Sequence, residues 1–253
     1  MKSYPVTPNE AATLFQHCAD RLPRAMPAST RAVLSRLVAS VVEFGAGDTL
    51  VHLGSSFNAL HLVVDGAFKS VMLGEDGQQQ VIHFYWPSEL MALDAFSSRT
   101  HATDLVALET ARVYEFPFAS IESEALKDAA FFESLLGFVS DRLVEAEGDQ
   151  FMLGSLQATQ RLAFFLTTTR QAREHAHLDS VVIDLPMTRR DIASYLGLTT
   201  ESVSRLLGWM ERQAMIRVDR RRITLLDANR VKALLEDTPG MSPLTNRSAA
   251  MHG

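Results

Sequence analysis

Glu201, Ser204 and Arg205 stand three and four residues apart, a spacing that places them on one side of a helix. Their chemistry suits the edges of base pairs. Arginine can donate two hydrogen bonds to guanine N7 and O6, glutamate can accept one from a cytosine amino group, and a serine hydroxyl can approach either kind of group or a thymine methyl. Chemistry on a bound substrate would need other patterns. A serine nucleophile elbow, a phosphate loop and a zinc-protease motif are all absent from the chain.

The residues around this trio specify the elements that must present it. Thr188 is placed to cap a helix, with Asp191 three residues on in the manner of a capping box. Ile192, Ala193 and Leu196 form that helix's inner face, and Gly197 permits the positive φ of a tight turn. Thr199 can cap a second helix whose inner face is Val203, Leu206, Leu207 and Met210. Two short helices joined by a glycine-containing turn make a helix-turn-helix, and Thr200, Glu201, Ser204 and Arg205 fall near the start of its second helix, where base contacts are made. Downstream, Met215–Val218 and Ile223–Leu225 flank Asp219, Arg220, Arg221 and Arg222, which reads as a β-hairpin wing. Thr188, Arg189, Arg190, Thr199, Thr200, Arg220, Arg221 and Arg222 are therefore candidates for the phosphate backbone of double-stranded DNA.

The overall charge of -6 would by itself oppose an anionic partner, but it averages two unlike regions. Residues 1–155 hold 10 Lys/Arg against 20 Asp/Glu, whereas residues 156–235 hold 13 against 8. Only the second region has the electrostatic footprint of a nucleic-acid binder. The chain's 253 residues, 47% of them hydrophobic, can bury one large core or two ordinary ones. No apolar run reaches the roughly 18 residues of a membrane span, and the first residues lack a signal-peptide stretch, so a cytoplasmic protein is expected. One cysteine, Cys18, excludes an intrachain disulfide framework and any four-cysteine metal site.

Upstream, residues 1–40 carry helical patterns interrupted by Pro23 and Pro27. Residues 41–120 change to short β-rich runs, among them Leu60–Val64, Phe68–Met72 and Gln80–Tyr85, separated by turns such as Asp65-Gly66. That spacing predicts an antiparallel sandwich or barrel. Helix returns over 121–155, where Phe132, Leu136, Val139, Leu143, Ala146, Gln150 and Leu153 recur at alternating steps of four and three. Such a seam suits pairing with a second copy, although an amphipathic helix lying on the sandwich would show a similar face. Glu145, Glu147 and Asp149 flank the seam and could equally be a solvated face. Residues 156–237 then form the DNA-binding region, and 238–253, with Pro239, Gly240 and Pro243, are expected to be a disordered tail.

The stretch Met187–Gly208, with weaker agreement at Phe44–Leu50, Val64–Gly66 and Ala107–Thr110, resembles the Crp/Fnr superfamily of bacterial transcription regulators, and its FNR/FixK branch most. The resemblance spans about residues 14–235 and implies an α+β fold: an N-terminal cyclic-nucleotide-binding-type antiparallel β-roll, a long dimerisation helix and a C-terminal winged helix-turn-helix. It implies a homodimer that contacts RNA polymerase and reads a TTGAT-N4-ATCAA palindrome through Glu201, Ser204 and Arg205. The cAMP-receptor branch has an arginine before the glutamate and a glycine in the serine's place; here those positions are Thr200 and Ser204.

The resemblance raises several effectors, which the residues treat differently. In the cAMP-receptor pattern an arginine and a serine hold the cyclic phosphate; those positions fall at His101 and Ala102, and the glycine of the neighbouring turn is Ser88, although Glu89 is kept and Arg99 lies close by. Oxygen-sensing relatives hold a 4Fe–4S cluster on four cysteines, which Cys18 alone cannot supply. Haem would need ligands such as His17, Cys18, His61, His83 or His101, none in a pattern that stands out from ordinary packed or surface histidines. Cys18 could act as a redox thiol, with Arg21 the nearest cation on its helix. A metal-dependent cupin enzyme would need clustered histidines in the roll; His61 and His83 are far apart, and His175-Ala-His177 lies in a linker. The remaining reading is a FixK-like relay without a dissociable effector, in low-oxygen or nitrogen-oxide respiratory control.

Overall fold

The computed structural model describes residues 2–5, 27–74, 77–176 and 178–236. Cys18, His17 and His177 lie outside the described residues, as do the helical pattern around Leu14 and the tail from residue 238. The chain divides into two compact units, one of residues Met1–Asp141 with His175–Leu178, the other of Arg142–Glu174 with Asp179–Gly253. Among the described residues no helix is long and apolar enough to cross a membrane.

The first unit is a two-sheet roll. Strands β1 (Lys2–Pro5), β2 (Ser40–Phe44), β9 (Ala111–Pro117), β4 (Ala59–Asp65) and β7 (Leu90–Met91) form one sheet in that order. Strands β3 (Thr49–Val51), β8 (Asp104–Ala107), β5 (Phe68–Leu73) and β6 (Gln79–Tyr85) form the other. Every pairing is antiparallel, as the alternating runs require. One apolar cluster unites residues of both sheets, including Phe44, Leu62, Phe68, Leu105, Val113 and Phe116. Phe44 and Phe68 meet edge to face with centroids 5.6 Å apart.

The Asp65-Gly66 turn brings two stretches of backbone close together. Gly66 has φ +76°, and a Cβ there would lie 2.6 Å from both the Ala111 Cβ and the Thr110 carbonyl oxygen. Only glycine fits so close a backbone approach. The strand at Lys2–Pro5 departs from the helical segment expected over residues 1–40. It pairs with the free edge of β2, which local periodicity does not reveal.

Helix α1 (Ala28–Leu37) precedes β2, α2 (Phe118–Ala125) follows β9, and α3 (Ala129–Ser155) is a single run of 27 residues. The division between units falls within α3, at Asp141/Arg142, and not at the end of the helix. The second unit continues with α4 (Ala158–His175), β10 (Val182–Asp184), α5 (Arg189–Leu196), α6 (Thr200–Arg212), β11 (Ile216–Asp219), β12 (Arg222–Leu225) and α7 (Ala228–Glu236). Strands β10, β12 and β11 form a small antiparallel sheet, so α5 and α6 make a helix-turn-helix followed by a wing.

Candidate nucleic-acid interface

The first helix of the motif starts on a reciprocal cap. Thr188 Oγ1 accepts from the Asp191 backbone N–H at 3.1 Å, while Asp191 Oδ2 accepts from the Thr188 N–H at 2.9 Å. Ile192, Ala193 and Leu196 are buried, and the helix ends at Gly197 with φ 59°. Arg161 fixes this end. Its guanidinium donates to the carbonyl oxygens of Leu196 (3.1 Å), Leu153 (2.7 Å) and Leu156 (2.9 Å), satisfying the free ends of α5 and α3 together.

A Cβ on Gly197 would stand 3.3 Å from Arg161 Nη1 and 3.4 Å from Leu153 Cδ2, besides occupying the left-handed region. Gly197→Ala is therefore expected to destabilise the fold by about 1–2 kcal/mol, measured by urea unfolding. An unchanged denaturation midpoint would show that the turn relaxes freely.

The second helix begins at Thr199, whose Oγ1 accepts from the Ser202 N–H at 3.1 Å. Val203, Leu207 and Met210 are buried and Leu206 is half-buried. The opposite side exposes Glu201, Ser204 and Arg205 near the amino end, with Thr200 half-buried beside them. Ser204 Oγ donates to the Thr200 carbonyl at 2.9 Å, which leaves its lone pairs outward as acceptors. Among the described residues Glu201 and Arg205 engage no partner through their side chains.

The three wing arginines, alike in sequence, have three different settings. Arg222 is committed to Asp184 by two bonds, Nε to Oδ1 at 2.7 Å and Nη2 to Oδ2 at 3.2 Å, and this pairing holds the Asp184 carboxyl below its usual range. Arg221 donates from Nη1 to the Pro186 carbonyl at 3.3 Å. Arg220 is exposed at the turn itself, with a positive φ of 54°. Its carbonyl accepts from Arg189 Nη2 at 3.1 Å, tying the start of α5 to the wing. Arg189 is half-buried, its pKa is lowered by that burial, and its Nη1 is buried without a hydrogen-bond partner among the described residues. Arg190 is exposed and engages no partner among the described residues.

On α3 the proposed seam is largely uncovered in one chain. Phe132, Leu136 and Leu143 are 48%, 52% and 59% exposed, values unusual for large apolar side chains on a helix that buries Phe131, Leu135 and Met152 elsewhere on its surface. Ala146 and Gln150 are also exposed, while Val139 and Leu153 are half-buried.

Sequence reasoning missed Asp184, Arg161 and Tyr195. Tyr195 gave one usable signal, since a phenol three residues from Ile192 on the buried face must find a partner for its hydroxyl.

The positions that would hold a cyclic nucleotide's phosphate have other partners. His101 is buried against Phe57, with ring centroids 5.6 Å apart, and burial lowers its pKa and so favours the neutral imidazole. Arg99 is turned to Glu122 at 2.9 Å and stacks 4.2 Å over the Phe118 ring. Glu89 accepts from the Trp86 N–H at 3.3 Å and lies 3.5 Å from His83 Nε2. A buried neutral imidazole in place of a guanidinium does not fit a cyclic phosphate. His61 lies 3.6 Å from Glu115 and lowers that carboxyl's pKa. Among the described residues no three His, Cys, Asp or Glu side chains form a group able to hold a metal ion.

Comparison with known proteins fits this arrangement. A cyclic nucleotide-binding domain model matches residues 41–128 and a Crp-like helix-turn-helix domain model matches 160–234. Over 195 residues the chain is 32% identical to the fumarate and nitrate reduction regulatory protein of Salmonella typhimurium, covering 76% of this chain and 77% of that one. The chain belongs to the Crp/Fnr family. Among other Crp/Fnr relatives, the transcriptional regulatory protein btr of Bordetella pertussis is 29% identical over 237 residues, 91% of this chain and 96% of that one. The solved structure of FixK2 from Bradyrhizobium japonicum superposes with a TM-score of 0.73 at 29% identity, covering 78% of this chain and 98% of that one. As a Crp/Fnr member, the chain is a DNA-binding transcription regulator related to the anaerobic regulators, with the family's β-roll, long helix and helix-turn-helix. Its relatives are regulators and not enzymes.

Proposed function

We propose that the protein works as a homodimer in the cytoplasm, joined along Phe132, Leu136, Val139, Leu143, Ala146, Gln150 and Leu153, and reads a TTGAT-N4-ATCAA palindrome. The observation that carries this reading is the exposed, uncommitted Glu201/Arg205 pair beside the outward lone pairs of Ser204. Two such sets, about one helical turn apart, enter successive major grooves on one face of the duplex. Arg205 donates to guanine, and Glu201 accepts from cytosine.

Arg190 and Arg220 hold phosphates, with Arg189, Arg221 and the helix starts at Thr188, Thr199 and Thr200 adding to the same track. Arg222, tied to Asp184, shapes the wing instead. The acidic roll offers surface to RNA polymerase. His101 and Arg99 do not suit a cyclic phosphate, and the reading we favour is a relay whose output follows its abundance, in low-oxygen or nitrogen-oxide respiration. Purified apoprotein should be dimeric and bind the palindrome at modest salt without added nucleotide; a monomer that binds it no better than scrambled duplex would end this reading.

Arg220→Gly separates fold from binding. Glycine relieves the positive φ, so the melting temperature should hold or rise. Affinity should fall equally for the palindrome and for random DNA, with the slope of log K against log salt reduced by about 0.9 for each phosphate no longer neutralised. A fall confined to the palindrome would move Arg220 from the backbone to the bases.

A further inference from the structure

Tyr195 carries an inference that rests on the palindrome reading and deepens it. Its side chain lies on α5, 7% exposed, with its ring 6.1 Å from Phe165. Its hydroxyl donates to Asp149 Oδ1 at 2.6 Å, across 46 residues of sequence. Burial, reinforced by the Asp149 charge, pushes the phenol well above its usual pKa, so it remains a donor throughout the physiological range.

Asp149 occupies a particular place on α3. At about 100° per residue, Arg142, Glu145 and Asp149 form a stripe about a quarter turn round the helix from Leu143, Ala146, Gln150 and Leu153. Arg142 pairs with Glu145 at 3.1 Å, and both also act electrostatically on the Tyr195 hydroxyl. The helix-turn-helix is thus hydrogen-bonded to the stripe bordering the exposed apolar face. Arg161 joins the same two helices at one point, through Leu153 near the end of α3 and Leu196 at the end of α5. Tyr195 and Asp149 meet about one turn of α3 earlier and add a second point of attachment, and two separated attachments resist a rotation that one alone would allow.

Spacing between half-sites is sensitive to such rotation. One base pair more or less moves the second half-site by about 3.4 Å and about 35° around the duplex. We propose that Tyr195 is a positioning residue whose hydrogen bond to Asp149 fixes the rotation of the helix-turn-helix about α3 and so sets the half-site spacing that the dimer accepts.

The test compares full-length wild type, Tyr195→Phe, Asp149→Ala and the double variant on palindromes with three, four or five base pairs between half-sites, and on a single half-site. Tyr195→Phe keeps the ring and removes only the hydroxyl. Wild type should favour the four-base-pair spacer by about tenfold or more, and each variant by less than about threefold, with half-site binding unchanged. The double variant should add nothing to either single one. Unchanged spacer selectivity in Tyr195→Phe overturns the proposal, as does equal weakening on every DNA, the half-site included.

A second measurement uses no DNA. Spin labels at Glu147→Cys and Arg212→Cys in a Cys18→Ser background, diluted with unlabelled chain, report the distance between α3 and α6. A narrow distribution that broadens in Tyr195→Phe supports the positioning role, and an unchanged width overturns it. Wild type that prefers no palindrome over scrambled DNA overturns the operator reading alone, because the label distances still decide what Tyr195 does.

Discussion

Arg205→Ala should weaken binding to TTGAT-N4-ATCAA by about 1–3 kcal/mol per half-site, or roughly 30-fold or more for a dimer whose two halves add. The guanidinium is exposed near the start of α6 and engages no partner among the described residues, so its removal disturbs no internal packing. The fold should therefore melt as wild type does. Fluorescence anisotropy on the palindrome, on a palindrome with the guanine replaced in each half, and on random duplex separates base reading from general attraction. The alanine variant should bind the first two nearly alike and keep its affinity for random DNA. Equal weakening on specific and random DNA would reassign Arg205 to the phosphate backbone.

Leu143→Glu should abolish the dimer. Leu143 is 59% exposed in one chain, so a carboxylate there is solvated in the monomer and leaves that fold intact. In the dimer, two carboxylates would meet inside an apolar seam, and leaving each charge buried and unpaired costs several kcal/mol. Sedimentation should show monomers at concentrations where wild type is dimeric. Palindrome affinity should fall by about 100-fold or more, because a second half-site no longer binds as one unit with the first. Circular dichroism should match wild type. A variant that remains dimeric would place the subunit interface elsewhere.

The parts of the molecule legible in the sequence are those whose chemistry is local. Thr188 with Asp191, Gly197 and Thr199 each act within three or four residues, and the structure has all of them as capping and turn residues. The buried faces of α5 and α6 follow from helical period alone. Strand runs in the roll were legible for the same reason, but the pairing of Lys2–Pro5 with β2 joins segments some forty residues apart and leaves no local mark.

The arginines of the wing show the same limit at the site. Arg220, Arg221 and Arg222 are adjacent and chemically identical, yet only tertiary structure distinguishes them. Arg222 meets Asp184 because β10 pairs with β12, 38 residues away in sequence. Arg161 is hidden likewise, and Tyr195 shows in sequence only that its hydroxyl needs a partner, since each acts on an element far along the chain. The charge split locates a basic region without saying which cations remain available to a ligand.

The turn at Arg220 bears on how this gene would respond to selection. A positive φ favours glycine or asparagine, so a library of variants enriched for thermal resistance alone should replace this arginine early. A library enriched for promoter output should retain it. The two selections would diverge at this single codon, and the divergence would record how much fold stability the protein gives up to keep a cation at the tip of its wing.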